Sequence, residues 1–598
     1  MEELVSIEDI KQATGIKREK IAKLTQKTLK LGAINEMYAQ LPKSNPLEFI
    51  DSLLDLLGIH VEISEESLNN IPAEGGFISI ANHPFGGLDG IILLKIMLAK
   101  RPDFKVMANK MLLKIDPLKE VIIPVNPFEN QEDPNFSGLR KTIELINENI
   151  PVGFFPAGEV SSWHSDKRKI TDKPWNKSLI RIIHKAEKPV LPIYFDGQNS
   201  PLFYSLAMLH PLLQTAKLPS ELTNKKNKTI KVIIGKPIIK REQQAFTNVE
   251  KFSKYLRTRT YCLGASINHQ KFYKLKFERK PTSISTNFEA IEPFLPQEKV
   301  AELVKQLPKS SLLFTSTKYH LYCACAEDMG LLIDEIGKLR EYTFRAIGEG
   351  TGKSKDIDEF DLYYHHLFIW DADEQQIVGS YRIGDGRDIS KQYGKHGFYV
   401  STLFKWKEEF NDVLSQSVEL GRSFIQPAYQ KTPQSLFMLW KGILYFLLKN
   451  DHCRYLVGPV SISNDYSKIS KSLIIKYIRR NYFNNFWAKN IKARRKFRYR
   501  MRNSDIEIND LDANDLDKLD KIIENVEPNH FKIPILLKKY LKQNAKFIGF
   551  NLDPAFNNCL DGLILLDLRE VDVDTVYALS KEMNDENIIA RIQNMQKN

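Results

Sequence analysis

The 598-residue sequence predicts an α/β protein with two domains. Two stretches of the chain alternate short β-branched or aromatic runs with longer amphipathic runs, which is the pattern of strands and helices packed in layers. A proline- and serine-containing stretch, 271–295, separates them, and we interpret it as a linker. The chain is also too long for a single core, since domains of roughly 100–200 residues are the norm.

This division predicts five segments along the chain. They are a charged amphipathic helical segment (1–44), a first α/β domain (45–270), the linker (271–295), a second α/β domain (296–575) and a C-terminal tail (576–598).

The elements of each domain follow from the spacing of apolar residues. In the first domain we expect strands at 76–81, 120–125, 152–155, 190–195 and 229–234, with helices at 89–99, 137–149 and 176–187. In the second we expect strands at 318–325, 364–370, 376–383, 417–425, 455–462 and within 546–568, with helices at 328–347, 434–450 and 467–481.

Charge and cysteine content narrow the functional classes. A net charge of +12 indicates an anionic partner, and nucleic acid, an anionic membrane face or an acidic carrier protein all qualify. The five cysteines form no CxxC pair, so we expect reduced thiols with no zinc site or disulfide framework. The N-terminus has no signal-peptide pattern, and the longest apolar run, 436–448, is too short to span a bilayer. We therefore expect a cytoplasmic protein that does not cross the membrane.

A first candidate site is the sequence Asn82-His-Pro-Phe-Gly-Gly-Leu-Asp89, where a predicted strand gives way to a helix. A carboxylate one to two helical turns after a histidine can fix its tautomer, so that the other ring nitrogen takes a proton from a hydroxyl. The structural alternative is that Asp89 caps the helix beside a histidine in the turn. A second cluster, Phe154 to Ser162, also follows a strand, and its Gly158 permits close approach of a substrate to backbone amides.

Together with the apolar strand Lys188–Ile193, these elements resemble the glycerolipid (PlsC-type) acyltransferases over roughly residues 45–240. The resemblance implies that His83 is the base and Asp89 its orienting carboxylate, with Gly158 and Glu159 in the substrate-binding block. Two departures stand out. Five residues separate His83 from Asp89 where the family has four, and the arginine that meets the acceptor phosphate is absent. We therefore expect a hydroxyl acceptor on a different lipid.

The second domain carries four polar motifs, namely Arg340–Arg345, the acidic loop 356–361, Gly379–Arg382 and Ser417–Arg422. A protonated amine attacks a thioester only after a base removes a proton, and Glu419 is the candidate base. Asp358 and Asp361 are suited to the ammonium groups of a cationic amino acid, and Arg382 or Arg422 to its carboxylate. The alternative for the acidic loop is a solvated surface run.

These motifs resemble the GCN5-related N-acyltransferase (GNAT) fold, and more narrowly the acyl-homoserine-lactone synthases and ornithine N-acyltransferases. The resemblance adds Arg345 to the substrate-binding residues. In a regular strand Glu419 and Arg422 face opposite sides, so a shared site requires a bulge, which we place at Gly421. Otherwise they form a buried pair that ties strand to helix. The loop 426–433 lacks the usual pattern that grips coenzyme A, which favours acyl carrier protein as donor.

A basic aromatic stretch, Lys476–Arg502, holds eleven Lys or Arg residues and no acid. It suits nucleic acid, anionic lipid or an acidic carrier protein. We favour membrane and carrier protein, because no nucleic-acid-binding motif surrounds it.

The order of the two domains resembles the bifunctional ornithine lipid synthases. The resemblance implies N-acylation of an amino acid with a 3-hydroxyacyl group, followed by O-acylation of that hydroxyl, on the inner face of the cytoplasmic membrane. It implies no cofactor beyond an acyl carrier protein or coenzyme A thioester. Alternatives are glycine or another amino acid as substrate, a lysophospholipid acyltransferase with a non-catalytic second domain, and a peripheral membrane or nucleic-acid-binding protein with inactive enzyme folds.

Overall fold

The structure is a computed structural model of the full chain. It describes residues 31–43, 45–125, 136–164, 169–209, 217–218, 220–278, 288–430, 432–498, 508, 511, 513–527 and 529–571. Most of the N-terminal helical segment and the whole C-terminal tail predicted from the sequence lie outside these residues. The described chain forms two compact units, one mainly from residues up to Leu275 and one mainly from Lys276 onwards.

The first unit is a sheet with helices on both faces. Its strands are β1 (His60–Glu62), β2 (Ile78–Ala81), β3 (Lys105–Asn109), β4 (Ile122–Val125), β5 (Val152–Phe154), β6 (Ser162–His164), β7 (Lys169–Thr171), β8 (Val190–Asp196) and β9 (Thr229–Ile234). Among the described residues, seven strands form one sheet in the order β1-β9-β8-β2-β5-β3-β4, and β6 pairs with β7. Only β8 and β9 run antiparallel within the larger sheet.

The helices of this unit cover the sheet on two sides. They are Leu31–Ala39, Pro46–Leu56, Glu65–Asn69, Gly87–Leu98, Phe136–Asn147, Lys177–Ala186, Pro201–Leu209, Lys240–Gln243 and Val249–Glu278. The helix Gly87–Leu98 is apolar nearly all round and packs in one core with Phe77 and Leu191. Ile78 and Ile80, which point the other way from β2, pack in a second core with Ile180. The central strands are therefore buried on both faces, as parallel strands usually are.

The second unit is a mainly antiparallel sheet. Its strands are β10 (Leu312–Ser316), β11 (Tyr319–Cys325), β12 (His365–Asp371), β13 (Gln376–Asp385), β14 (Phe404–Trp406), β15 (Ser417–Ile425), β16 (Tyr455–Ile462), β17 (Ile491–Ala493), β18 (Lys546–Asp553) and β19 (Cys559–Asp567). In the described part of the chain, eight of them form the order β10-β11-β12-β13-β15-β16-β19-β18. β15 and β16 are parallel and pair only over Ser417–Glu419 and Tyr455–Val457, so they separate immediately beyond Glu419.

The helices of the second unit are Gln297–Lys305, Ala326–Met329, Leu332–Ala346, Gly386–Tyr393, Asn411–Ser415, Pro433–Lys449, Lys468–Asn481, Asn485–Ala488, Leu516–Val526 and Ile535–Lys542. The long helix Pro433–Lys449 connects β15 to β16 and packs on β12 through Gly442, where a methyl group would lie 2.5 Å from Leu321 and 2.8 Å from Leu367. This close approach is the physical reason for a glycine inside a helix that otherwise favours larger residues.

The strand and helix positions predicted from the sequence agree with the structure to within a few residues, and the two-unit α/β class is confirmed. The helix Val249–Glu278 runs eight residues into the stretch taken as the linker. None of the five cysteines, all of which lie in the described residues, forms a disulfide, and three of them, Cys262, Cys453 and Cys559, are buried. No helix in the described ranges is long and apolar enough to cross a membrane.

Candidate active sites

His83 and Asp89 form a hydrogen-bonded pair at the end of β2. His83 Nδ1 lies 2.9 Å from Asp89 Oδ2, and the aspartate side chain is completely buried while 17% of the histidine side chain is exposed. With Nδ1 held by the carboxylate, Nε2 is the nitrogen available to a substrate hydroxyl. The sequence-predicted dyad is thus brought together in the structure, with its histidine at the surface of the site.

The backbone around Gly86 holds the Asp89 carboxylate in place. Oδ2 accepts hydrogen bonds from the amides of Phe85 (2.9 Å) and Gly86 (3.0 Å) as well as facing His83. Burial raises the pKa of Asp89, and the His83 ring and the two amides oppose that rise. The carboxylate therefore depends on the histidine partner for part of its stability as an anion.

Gly86 accounts for the unusual spacing between His83 and Asp89. Its φ is +90°, a conformation that glycine adopts readily, and a Cβ there would lie 2.8 Å from Leu218 Cδ2. The extra residue is accommodated in this turn, since the helix then begins at Gly87 and delivers Asp89 back toward the ring. The Gly86-Gly87 pair thus absorbs the additional residue.

Further residues that the sequence did not single out fix the His83 loop. Asp172 Oδ1 accepts from the His83 amide (3.2 Å) and from the Ser161 hydroxyl (2.5 Å), and the Ser161 amide donates to the His83 carbonyl (2.8 Å). The His83 ring stacks on Phe155 with ring centroids 4.2 Å apart. Asp172 follows the short strand β7, where sequence periodicity gives no signal of proximity to residue 83.

Gly158 and Glu159 lie in the turn after β5. Gly158 has φ of +69°, and a Cβ built there meets nothing within 4 Å, so the backbone at this point is open to a ligand. Glu159 is half-exposed and forms an ion pair with Lys173 at 2.6 Å. The block predicted for substrate binding is thus an open turn that follows the Phe155 contact with the His83 ring.

In the second unit, Glu419 is buried in β15, and its carboxylate accepts three hydrogen bonds. The amide of Val400 donates to Oε1 (2.7 Å), while the amide of Tyr399 (3.0 Å) and the Tyr364 hydroxyl donate to Oε2. Burial raises the pKa of Glu419 to about 7, against the lowering effect of these donors and of Arg382. A carboxylate that titrates near neutral pH is suited to general-base catalysis.

A cluster of three arginines and three aspartates lies close to Glu419. Arg340 makes a bidentate contact with Asp361, at 3.0 and 2.9 Å, and an ion pair with Asp356 at 2.8 Å. Arg382 contacts Asp361 at 3.1 Å and also pairs with Asp358, while Arg422 donates to Asp358 at 3.0 Å. Asp358 and Asp361, which the sequence analysis assigned to substrate ammonium groups, are therefore already paired with arginines of the protein itself. The acidic loop is not a solvated surface run, because Asp356 and Asp361 are buried.

The arginines keep some donor capacity for a ligand. Among the described residues, Nε and Nη2 of Arg382 are buried without a hydrogen-bond acceptor. The guanidinium lies over the rings of Tyr364 (5.2 Å) and Tyr399 (5.3 Å), and Arg422 lies over Phe556 at 4.1 Å. An acceptor such as a carboxylate would satisfy the unused Arg382 donors.

The bulge expected in β15 is present. Arg382 pairs with Gly421 and Ser380 with Phe424, so β15 contains one residue more than β13 between these two pairs. The left-handed residue is Arg422, with φ of +53°, one position after the glycine where we placed the bulge. Because of this irregularity, Glu419 and Arg422 both contact Tyr399. The Glu419 carboxylate accepts from the Tyr399 amide, and the Arg422 guanidinium lies over the Tyr399 ring.

Arg345 makes its contacts elsewhere. Its guanidinium bonds to Glu341 (2.7 Å) and to the carbonyls of Glu289 (2.9 Å) and Lys353 (2.6 Å). Glu341 in turn accepts from the amides of Thr351 and Gly352. Arg345 therefore organises the loop after its helix and is not brought into the arginine–aspartate cluster.

A second group of carboxyls, Glu349, Asp553 and Asp561, was not foreseen from the sequence. All three are buried, and Asp561 Oδ2 has no hydrogen-bond partner among the described residues. Asp553 accepts from the Tyr399 hydroxyl at 3.3 Å, which links this group to the tyrosine whose amide holds Glu419. Burial and the neighbouring carboxyls raise the pKa of Asp561, and burial raises that of Glu349 to about 6.

The described part of the basic aromatic stretch exposes most of its cations. Its exposed Lys and Arg residues are Lys476, Arg479, Arg480, Lys489, Lys492, Arg494, Arg495, Lys496 and Arg498. Of its aromatic residues, Phe486 is 68% exposed, whereas Tyr477 and Tyr482 are buried. Arg494 also donates to the Ser401 carbonyl at 2.7 Å, so it supports the loop that carries Val400.

The histidine–aspartate dyad in one unit and the buried carboxyl with a pKa of about 7 in the other are groups that acyl transfer can use. Family comparisons agree, since residues 18–270 match the family model described as Acyltransferase and residues 339–441 match the Acetyltransferase (GNAT) domain. The chain belongs to the acyltransferases, and it joins an N-terminal PlsC-like acyltransferase domain to a C-terminal GNAT domain.

The individual relatives are named for acyl transfer to glycine or to a lyso-glycine lipid. The chain is 30% identical over 202 residues to the lyso-glycine lipid O-acyltransferase of Phocaeicola vulgatus, covering 32% of this chain and 69% of that protein. It is 30% identical over 204 residues to the glycine N(alpha)-acyltransferase of the same organism, covering 31% of this chain and 63% of that protein. Less than two thirds of the N-acyltransferase is thus matched.

Among solved structures, the chain is similar to the 1-acyl-sn-glycerophosphate acyltransferase PlsC of Thermotoga maritima. The two are 18% identical over a region that covers 41% of this chain and 80% of that chain, with a TM-score of 0.23.

Proposed function

We propose that the chain makes a doubly acylated amino-acid membrane lipid in two steps, one at each site. The GNAT domain acylates the α-amine of an amino acid with a 3-hydroxyacyl group, and the PlsC-like domain then acylates the new 3-hydroxyl. The observation that carries this proposal is the coexistence, in one chain, of the His83–Asp89 dyad and the Glu419 carboxyl with a pKa of about 7.

The first step is aminolysis of a thioester. Glu419 removes a proton from the ammonium group through the Tyr364 hydroxyl or a water molecule, because its own oxygens are occupied by backbone amides. The free amine attacks the thioester carbonyl, and the tetrahedral intermediate collapses to an amide and a thiol. The unused donors of Arg382 are placed to hold the amino acid's carboxylate.

The second step is the formation of an ester. His83 Nε2 takes the proton of the acceptor hydroxyl, whose oxygen attacks the carbonyl of a second acyl thioester. The proton then passes from the imidazolium to the departing thiolate. Asp89 stabilises the imidazolium through Nδ1, and its buried charge is best tolerated when the ring is protonated. The absence of the phosphate-binding arginine supports a hydroxyl-lipid acceptor rather than glycerol phosphate.

The buried carboxyls Glu349, Asp553 and Asp561 support a cationic amino acid of the ornithine type. Among the described residues no ion pair reaches them, although Asp356, Asp358 and Asp361 are all matched by arginines. A distal ammonium group would satisfy the Asp561 oxygen that has no partner and favour the charged forms of Asp561 and Glu349, whose pKa values burial raises. The second candidate is glycine, which the names of the relatives favour.

A competition experiment separates these candidates. Purified protein receives equal glycine and ornithine with one acyl carrier protein thioester, and mass spectrometry gives the ratio of products for the wild type, Asp561→Asn and the exposed control Asp373→Asn. A charged hydrogen bond contributes about 1.5–3 kcal/mol, so the preference for ornithine should fall roughly ten- to a hundredfold in Asp561→Asn only. A wild-type preference for glycine would establish the second candidate.

The same proposal assigns partners to the basic aromatic stretch. Its exposed cations suit the acidic acyl carrier protein that delivers the thioester and the anionic lipid surface that receives the product. The exposed Phe486 supports contact with lipid, because aromatic rings favour the headgroup region. We therefore place the protein peripherally on the inner face of the cytoplasmic membrane, with no cofactor other than the thioester donor.

A further inference from the structure

A third cluster of reactive side chains lies apart from the residues assigned above. His452 Nε2 is 2.9 Å from both carboxylate oxygens of Asp385 and 3.3 Å from Cys453 Sγ. One donor atom from each residue lies within 4.8 Å of the other two, and Asp385 and Cys453 are buried. Asp385 lies 67 positions before the adjacent residues His452 and Cys453, so the three do not form a local sequence motif.

Nε2 of His452 faces two carboxylate oxygens and a sulfur at close range, so an imidazole, a carboxylate and a thiol share one small volume. All three are side-chain types that bind zinc. Zinc binds Cys at about 2.3 Å and His or Asp at about 2.0–2.2 Å, so ligand atoms around a tetrahedral zinc are roughly 3.3–3.7 Å apart. The separations of Nε2 from the carboxylate oxygens (2.9 Å) and from Sγ (3.3 Å) are at or slightly below the lower end of that range.

We propose that Asp385, His452 and Cys453 bind a zinc ion, with water at the fourth position. A thiolate, an imidazole and a carboxylate form a donor set that zinc accepts, whereas magnesium and calcium require oxygen ligands. On binding, the Cys453 thiol loses its proton to solvent and the imidazole keeps its hydrogen on Nδ1. The expectation from the sequence that no zinc site exists rested on the absence of CxxC pairs, which does not bear on ligands contributed by the end of one strand and the turn before another.

The position of the cluster indicates a role in holding the N-acyltransferase site together. Asp385 ends β13 and caps the helix Gly386–Tyr393 through the amide of Arg387 (2.9 Å). The chain that follows reaches Tyr399 and Val400, whose amides hold Glu419. His452 and Cys453 come immediately before β16, on the other side of β15 from β13. Zinc would therefore cross-link the two strands that flank the Glu419 strand.

Metal analysis of the full-length protein tests the proposal. After dialysis against zinc-free buffer, elemental analysis should find about one equivalent of zinc per wild-type chain and a clear loss in Cys453→Ser and His452→Gln. The exposed Cys325→Ser is the matched control and should retain it. Cobalt substitution should give a thiolate-to-cobalt charge-transfer band in the wild type and in the control that disappears in Cys453→Ser.

The wild-type measurement is decisive even where a variant fails to fold. A dialysed wild-type chain without zinc, which also binds neither added zinc nor cobalt, would overturn the proposal. Zinc retained by folded Cys453→Ser and His452→Gln at the wild-type level would overturn it as well, because the metal would then lie elsewhere.

Discussion

Replacing Glu419 with glutamine tests the base assigned to N-acylation. The substitution keeps the shape of the side chain and removes its ability to take a proton, and a general base typically contributes about 10²–10⁴-fold to the rate. With a pKa of about 7, the wild-type carboxylate is largely protonated at pH 6 and largely ionised at pH 8. The base-dependent rate should therefore rise about tenfold between these pH values.

The assay is N-acylation of the amino acid from acyl carrier protein thioester, measured between pH 6 and 9 in the wild type and in Glu419→Gln. Deprotonation of the amino acid itself raises both rates, so the ratio of the two profiles isolates the enzyme's base. That ratio should reach half of its maximum near pH 7 and level off above about pH 8. The exposed neighbour Glu359→Gln should follow the wild type. A flat ratio, or a Glu419→Gln rate within a few fold of the wild type, would refute the assignment.

The remaining predictions concern the dyad, the buried arginine and the basic aromatic stretch. His83→Ala should stop O-acylation and leave N-acylation intact, so that singly acylated amino acid accumulates in extracts. Arg340→Met removes one of the two arginines that pair with each of the buried carboxylates of Asp361 and Asp356, and it should lower the free energy of unfolding by up to about 3–5 kcal/mol in denaturant titrations. Replacing Lys492, Arg495 and Lys496 together with glutamine should weaken binding to carrier protein or anionic vesicles, and added salt should mimic it, since charges are screened beyond about 8 Å.

Each of these has a control. The exposed His60→Ala should retain both activities, and doubly acylated product from His83→Ala would contradict the dyad. The exposed Arg387→Met should change stability by less than about 0.5 kcal/mol, so an equal loss in both arginine variants would contradict the buried network. Salt-independent binding to carrier protein and vesicles, together with salt-sensitive binding to nucleic acid, would reassign the basic aromatic stretch.

Local patterns predicted the elements well because period-2 and period-3.6 spacings reflect burial directly. The dyad was also predictable, since His83 and Asp89 belong to one strand–turn–helix segment and their contact depends on local geometry. The bulge near Gly421 followed from the alternation of side chains in a strand.

The tertiary partners were not predictable from the same patterns. Asp358 and Asp361 look like free acids in the sequence, but the bulge in β15 and the register of β13 bring Arg422 and Arg382 to them. Arg340 reaches the same loop from a preceding helix. Asp561 comes near Glu349 only because β19 pairs with β16, a contact between residues about a hundred positions apart. Pairings of this kind depend on the whole sheet.

The most direct test of the two-step account is the lipid content of a bacterial host that makes no amino-acid lipids of its own and expresses this chain. The account predicts a new lipid in which an amino acid carries an amide-linked 3-hydroxyacyl chain with a second acyl chain esterified to its hydroxyl. It predicts the monoacyl form alone from His83→Ala and neither form from Glu419→Gln. A host whose only new product is an acylated glycerophospholipid, unchanged by Glu419→Gln, would contradict it.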